Sequence, residues 1–331
     1  MKSIKGFLIF LLLSTVSQNL NSQNYNRPVP PNLVYAYEFV QYDTTDFGYY
    51  LTAPLSLLPN KEKWLKPCMA ILDKDGYLTW FSNGNIIRFF NFQYHPSINK
   101  FSCYFQNNPH GFHFIDTSFQ IVDTYSQFGG LFVNPHEFQL LQNGNVAFTL
   151  YKDSIMDLSA YSFAGVQGSP TTKVIGDVLI EMDTAKNIVF EWSTFDHIFP
   201  TETYDVYGYY ENGFDYTHPN SIAEDTDGNF LVSFRHLDAV YKIDRTTGDV
   251  IWRLGGKSNS FTCTNDSGFT AQHDFRSYPD GSYSVFDNAF PSPNECRATM
   301  YTLDTVAMTA KKYGSINPTR VSLHCSWEII R

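Results

Sequence analysis

The sequence holds 331 residues with 33 acidic and 23 basic side chains, a formal charge of −10, and 43% hydrophobic against 17% charged residues. That balance provides for a sizeable core and excludes the basic footprint on which non-specific nucleic-acid binding rests. Its 29 Phe and 22 Tyr gather with β-branched residues in runs such as NVAFTLY, GNFLVSF and DVIWRL, so the chain reads as all-β.

The N-terminus, MKSIKGFLIFLLLSTVSQNLNSQ, sets two lysines before the apolar run Phe7 to Leu13 and then small and polar residues, the layout of a secretory signal peptide. Cleavage is expected between Ser17 and Gln23, which divides the chain into a signal at 1–22 and a β-domain at 23–331. The run is too short to span a bilayer and no other apolar stretch approaches that length, so the expected location is periplasmic or extracellular. Export permits disulfides, yet five cysteines are an odd number with no metal-knuckle spacing. Cys68 with Cys103 and Cys263 with Cys296 are candidate pairs by closeness alone.

A repeat organises the rest. FIDTSFQIVDTY, EMDTAKNIVFEW, KIDRTTGDVIWR and TLDTVAMTAKKY each read as strand, turn, strand, and their aligned Asp116, Asp183, Asp244 and Asp304 lie 67, 61 and 60 residues apart. A second two-strand element precedes each: CMAILDKDGYLTWF, HEFQLLQNGNVAFTL, HPNSIAEDTDGNFLVSF and HDFRSYPDGSYSVF. Four strands per unit in tandem predict a β-propeller of four-stranded blades. Four units are visible, with residues 33–60 adding a strand or two. Between them, 193–217 carries eight aromatics and reads as a loop that packs its own rings or walls a pocket.

Three of the hairpins open on a histidine: His136, His218 and His273. The first strand of a propeller blade lines the axis, so the fold's symmetry brings these three to one mouth. Pairing about the EDTDG turn sets His218 opposite Arg235 or His236, and the same arithmetic puts Tyr151 near His136 and Asn288 near His273. A single histidine before a strand ordinarily bonds a loop carbonyl. Three at equivalent positions with an arginine make a site for an oxyanion, because the guanidinium offers a fixed fork of donors and imidazole can donate, accept or attack. A tris-histidine metal centre for a hydrolase or oxygenase is a second reading, opposed by Arg235, and a secreted binding module is a third. His110 and His113 in HGFH are a weak metal signal and read as an exposed turn. Neither a phosphate loop nor a Gly-x-Ser-x-Gly elbow is present.

The stretches DYTHPNSIAEDTDGNFLVSFRHLDAVYKIDRTTGDVIWRLGG and QHDFRSYPDGSYSVFDNA resemble the arylsulfotransferases that use no activated nucleotide donor, and the similarity covers roughly residues 60–310. The resemblance implies a six-bladed propeller that moves a sulfuryl group from a phenolic sulfate ester to a phenol acceptor through a sulfohistidine. By position, His273 in QHDF matches the nucleophile, His218 in HPNS and Arg235 in VSFRH match the groups that hold the sulfuryl oxygens, and His136 in PHEF matches the remaining active-site histidine, a general acid and base. It implies no cofactor and no metal, with small phenolic compounds as partners. The sequence ends where the family adds at least one further blade, so the expected propeller is incomplete at its C-terminus. The large N-terminal β-domain of two-domain members has no counterpart.

Overall fold

A computed structural model describes residues 11–12, 37–38, 48–53, 68–73, 77–82, 88–107, 109–163, 165–204, 213–290 and 296–316. The predicted signal segment lies outside them, apart from the backbone of Leu11–Leu12, which pairs with Tyr37–Glu38. So do the C-terminal stretch from 317 onward, Cys325 and residues 205–212 of the aromatic segment. Two compact units divide the chain between Ser126 and Gln127, and each is described by itself.

In the first unit, β1 (Tyr49–Thr52), β2 (Met69–Asp73) and β3 (Leu78–Ser82) form a three-stranded antiparallel sheet. A four-stranded meander follows: β4 (Phe89–His95), β5 (Lys100–Phe105), β6 (Gly111–Ile115) and β7 (Ile121–Tyr125). The sequence repeat joined CMAILDKDGYLTWF to FIDTSFQIVDTY as one blade, and the structure corrects this. The two elements belong to different sheets because β4 and β5 supply the meander with its own first hairpin.

The HGFH pair is also corrected. His113 is fully buried within β6, with Nδ1 on Thr124 Oγ1 at 2.9 Å and Nε2 donating to Pro109 O at 3.1 Å, while His110 Nε2 meets Tyr104 OH at 2.8 Å. With both ring nitrogens of His113 engaged, it is a satisfied core histidine and neither an exposed turn nor a ligand.

The second unit holds three consecutive four-stranded meanders. The first is β8 (Leu131–Leu140), β9 (Val146–Met156), β10 (Thr172–Met182) and β11 (Ile188–Ser193). The second is β12 (Pro219–Glu224), β13 (Phe230–Phe234), β14 (Ala239–Ile243) and β15 (Val250–Gly255). The third is β16 (His273–Ser277), β17 (Ser282–Asp287), β18 (Arg297–Asp304) and β19 (Thr309–Ile316). Such four-stranded meanders are β-propeller blades, and the described residues of the whole chain hold four of them beside the three-stranded sheet.

The aligned aspartates have a local cause. Each accepts backbone N–H bonds across the turn of its outer hairpin: Asp183 from Ala185 and Asn187, Asp244 from Thr246 and Thr247, Asp304 from Val306 and Ala307, and Asp116 from Ser118 and Gln120. Between the first two blades of this unit a core of Leu179, Trp192, Phe230, Phe234 and Tyr241 fills the gap, and Trp192 Nε1 donates across it to Gly248 O at 2.9 Å. Phe214 and Tyr216, the described end of the aromatic segment, are buried in the same core, so those rings pack inward. Phe275, Tyr283, Val285 and Tyr301 fill the next gap with Leu231, Val240 and Trp252. Burying each such side chain contributes about 1.5–3 kcal/mol.

The pairs Cys68–Cys103 and Cys263–Cys296 are not disulfides. Cys103 Sγ instead donates to Phe90 O at 3.3 Å.

The inner strands β8, β12 and β16 are joined by a buried guanidinium. Arg276 Nε donates to Asp274 Oδ1 at 2.5 Å, its Nη2 to Glu137 Oε2 at 2.5 Å and its Nη1 to Ile222 O at 2.9 Å, one contact to each strand. Glu137 and Asp274 are 3% and 4% exposed, so each carboxylate depends on this cation. Arg276→Met should therefore lower unfolding stability by about 3–5 kcal/mol, read as a shift in the urea midpoint at pH 7, because two buried carboxylates lose their counter-charge. A shift under about 1 kcal/mol would mean that water reaches the cluster.

Candidate active site

Each inner strand breaks register close to its histidine, in mid-strand for β8 and at the first residues for β12 and β16. In β8, Val133 pairs with Leu150 and Phe138 with Phe148, which leaves residues 134–137 bulged opposite Thr149. The ladders of β12 and β16 slip between Pro219 and Ser221 and between His273 and Arg276. A bulge re-aims side chains that a regular pleat would alternate between faces. His218, Asp238, Ala271, Asp274 and Ala289 also adopt left-handed φ values of 48–53°, strained for residues with a Cβ and concentrated around these strand ends.

Three of the four residues chosen from sequence are directly linked. The His136 and His218 rings stand edge to face at 4.7 Å, and Arg235 N–H donates to His218 O at 3.0 Å, one of the two pairings that hairpin arithmetic left open. His273 is 5% exposed, and the charges of Arg235, His136 and His218 all act on it. Asn288 reaches it, with Nδ2 at 2.9 Å from Nδ1. Tyr151 is not brought to His136: the bulge shifts the register, and Tyr151 pairs with Asp177 instead.

Arg235 and His236 sit on a short 3-10 turn, Arg235–Leu237, that ends in left-handed Asp238. Gly255 and Gly256 lie against it so closely that a Cβ would meet Asp238 O at 2.4 Å and Leu237 O at 2.7 Å, with φ of 85° and 75°. The LGG of the sequence is therefore the bed on which this turn rests. Asp238 Oδ1 accepts Ala271 N–H at 2.6 Å, tying the turn to the segment before His273.

Sequence reasoning missed the residues that orient these rings. Asn134 Oδ1 accepts both His136 N–H at 3.1 Å and His136 Nδ1–H at 2.6 Å, while its Nδ2 donates to Asp177 Oδ1 at 2.9 Å. An amide oxygen only accepts, so His136 carries its proton on Nδ1 and leaves Nε2 bare. Asp215 Oδ2 stands 2.6 Å from His218 Nδ1, its Oδ1 accepts His218 N–H at 3.1 Å, and its backbone oxygen accepts His236 Nδ1–H at 2.6 Å. The His218 and His236 rings stack at 4.6 Å. His273 Nδ1 lies 2.9 Å from Asn288 Nδ2, which donates, and 3.2 Å from Ala271 O, which accepts: donation from the amide puts the ring proton on Nε2, and only the tautomer that donates to Ala271 O leaves Nε2 bare. His236, the histidine of FRH, was named from sequence only as an alternative to Arg235 opposite His218. Asp215 stands three residues before His218 in DYTH, a local spacing, whereas Asp177 had no signal because blade geometry brings it in.

Desolvation governs the charge states. Burial, with His218 and Arg235 adding to it, pushes His136 down to about 3, and burial with His218 takes His236 to about 3. Burial and Arg235 hold His273 well below the usual range. Burial would raise Asp215, but the charge and hydrogen bond of His218 outweigh it and hold the carboxyl at about 2. Asp177, 1% exposed, is pushed well up by burial and by Asp215.

Asp215, His218 and His236 place one donor atom each within 4.8 Å of one another, a grouping that can accept a divalent cation. Both Nδ1 atoms already face Asp215 and a guanidinium adjoins them, which favours an anion over a cation at this place.

Three rings that bind a proton readily in the unfolded chain and not in the folded one make stability fall as pH drops from about 6.5 toward 3. Each contributes up to about 1.4 kcal/mol per pH unit, and Asp177, raised by burial, acts in the opposite direction. Urea midpoints should be highest above pH 6.5 and decline by pH 5, less steeply in His136→Asn. A flat profile across that range would show that the rings are hydrated.

A family model for arylsulfotransferase (ASST) matches residues 130–327. No curated protein matches the chain. Among solved structures it is similar to a protein of unknown function from Bacteroides caccae, at 9% identity and TM-score 0.39 over 81% of this chain and 99% of that one. It is also similar to a catalytically inactive virginiamycin B lyase from Staphylococcus aureus solved with quinupristin, at 10% identity and TM-score 0.41 over 83% and 72%. The family match spans more than half of the sequence and every residue of the histidine cluster, and the chain belongs to the arylsulfotransferase family.

Proposed function

We propose that this protein transfers a sulfuryl group from a phenolic sulfate ester to a phenol, through a sulfated His273. The observation that carries the reading is the clustering of His136, His218, Arg235 and His273 about the register breaks of three consecutive inner strands. Family membership supports sulfotransferase chemistry at the coarser level. The layout of residues 1–22 supports placing the reaction outside the cytoplasm.

His273 is desolvated and uncharged, the state in which a bare Nε2 is a nucleophile. Its Nε2 forms a bond to sulfur as the ester S–O bond breaks, and the electron pair leaves with the aryl oxygen. Arg235 and His218 offer N–H donors to the three sulfuryl oxygens as charge spreads over them. The incoming ester is itself an anion, and its charge favours the protonated form of His136, which then delivers a proton to the departing phenolate. In the second half an acceptor phenol returns that proton to His136, its oxygen attacks sulfur, and the N–S bond breaks to restore neutral His273. Asn134 keeps the working nitrogen of His136 turned outward throughout.

Intact-protein mass spectrometry after mixing the protein with an aryl sulfate and no acceptor tests this. One added sulfuryl mass mapped to His273, absent from a folded His273→Ala protein, is the expected result. A folded protein that binds the ester without any adduct would be a binding module, and the transfer reading would fall. His136→Asn should retain the adduct and lose at least about 100-fold in turnover to phenol, since it removes the proton carrier and not the nucleophile.

A further inference from the structure

The residues beneath His136 and His218 converge on one side chain. Asn134 in β8 and Thr217, the residue before His218, both reach Asp177 of β10: Asn134 Nδ2 donates to Oδ1 at 2.9 Å, and Thr217 Oγ1 donates to Oδ2 at 3.3 Å. All three side chains are buried, so these contacts are desolvated. Asp177 is itself held from behind. It lies one residue outside the ladder of β10 with β11, which stops at the pair Val178–Ser193, and its N–H donates to Thr194 Oγ1 at 3.0 Å. Gly176 makes room for that approach, since a Cβ there would meet Thr194 Oγ1 at 2.7 Å.

We propose that Asp177 is a positioning residue shared by two histidines: through Asn134 it fixes the tautomer of His136, and through Thr217 it ties the start of the His218 strand to the same point. The inference deepens the proposed function, since it rests on His136 as the proton carrier, and it names what keeps the carrier's working nitrogen bare. A histidine in water favours its proton on Nε2, so the Nδ1–H form of His136 has to be imposed. Asn134 imposes it only while its amide keeps one orientation. The oxygen edge of that amide takes the ring and backbone N–H groups of His136, and the nitrogen edge has Asp177. Without that acceptor a buried NH2 group is left unpaired, and turning the amide toward another acceptor relieves the cost. His136 then relaxes to Nε2–H, with the proton on the nitrogen that has to be bare.

The tautomer is read directly from 15N spectra of the histidine-labelled full chain at neutral pH, where burial keeps the ring uncharged, with His136→Asn to assign the signal. In the unsubstituted protein Nδ1 of His136 should be protonated and Nε2 bare. Asp177→Val keeps a strand-forming residue in β10 and removes both acceptors, and the folded variant should show His136 mainly as Nε2–H. Burial pushes the Asp177 carboxyl well up, so an uncharged amide is a fair replacement. Asp177→Asn again offers an oxygen to Asn134 and an N–H to Thr217 Oγ1, and should return the ring to Nδ1–H. With an aryl sulfate and phenol, Asp177→Val should lose about 10–100-fold in kcat with KM within about threefold, and Asp177→Asn less than about threefold in kcat. A merely structural Asp177 would lower stability and leave the tautomer where it was.

An Nε2–H ring in the unsubstituted protein, or a His136 that stays Nδ1–H in folded Asp177→Val, overturns the proposal. Should Asp177→Val fail to fold, Thr194→Val, which frees the Asp177 backbone, is read in the same way: a mixture of His136 tautomers is expected, and an unchanged Nδ1–H ring overturns it. The two readings fail separately. A His273 adduct with a His136 tautomer indifferent to Asp177 sinks only this inference, and a tautomer that answers to Asp177 with no adduct sinks only the transfer.

Discussion

One buried cation fixes the frame of the site. Arg276 touches an inner strand of each of three blades, through Glu137, Ile222 and Asp274, at a place where backbone ladders do not cross from blade to blade. Side-chain bonds add to it, among them Asn220 to Gln272 O, Phe275 N–H to Ser221 Oγ and Ser277 Oγ to Asp225. Glu137 adjoins His136 and Asp274 adjoins His273 in sequence, so the spacing of those histidines follows from the span of one guanidinium. Catalytic geometry needs tolerances far finer than a hydrophobic gap provides, and a rigid fork with short charge-assisted bonds supplies them.

Electrostatics then divides the labour. The histidines are crowded and desolvated, and burial first, with neighbouring positive charge adding to it, disfavours the protonated form of His136, His236 and His273, which suits attack and proton transfer. A single ionised carboxylate among them breaks the symmetry of otherwise similar rings. Four imidazoles drawn from three repeats thereby come to hold different roles through their Nδ1 partners alone. The repeat supplies the positions, and the departures from repeat supply the chemistry.

Much of this was legible in the sequence, for reasons that can be stated. Period-two patterning with Gly turns gave the hairpins, and the aligned aspartates marked a turn with its own hydrogen-bond logic. Counting outward from the EDTDG turn set His218 opposite Arg235 or His236, and the one-residue slip between Ser221 and Pro219 brings it to Arg235. The same counting misplaced Tyr151, since four bulged residues in β8 carry no local signature that distinguishes them from a longer strand. The first blade was mispartitioned because FFNFQYH and KFSCYF lack the Gly-containing turn used to recognise the other hairpins. Asp177 escaped notice because it reaches the site across the sheet, whereas Asn134 and Asp215 stand two and three residues before the histidines they hold and were overlooked at legible spacings. Asn134 and Asp177 are 43 residues apart, and no short-range pattern connects them.

The crossing bond from Trp192 to Gly248 has a companion that gives the first blade of this unit an optical character. The indole lies flat against the His197 ring, with centroids 4.5 Å apart and planes within 9°. A protonated imidazole in such contact is an efficient quencher of indole emission, and a neutral one is not. Because the same indole is pinned across the gap to the second blade, one side chain couples the His197 ring of the first blade to the backbone of the second.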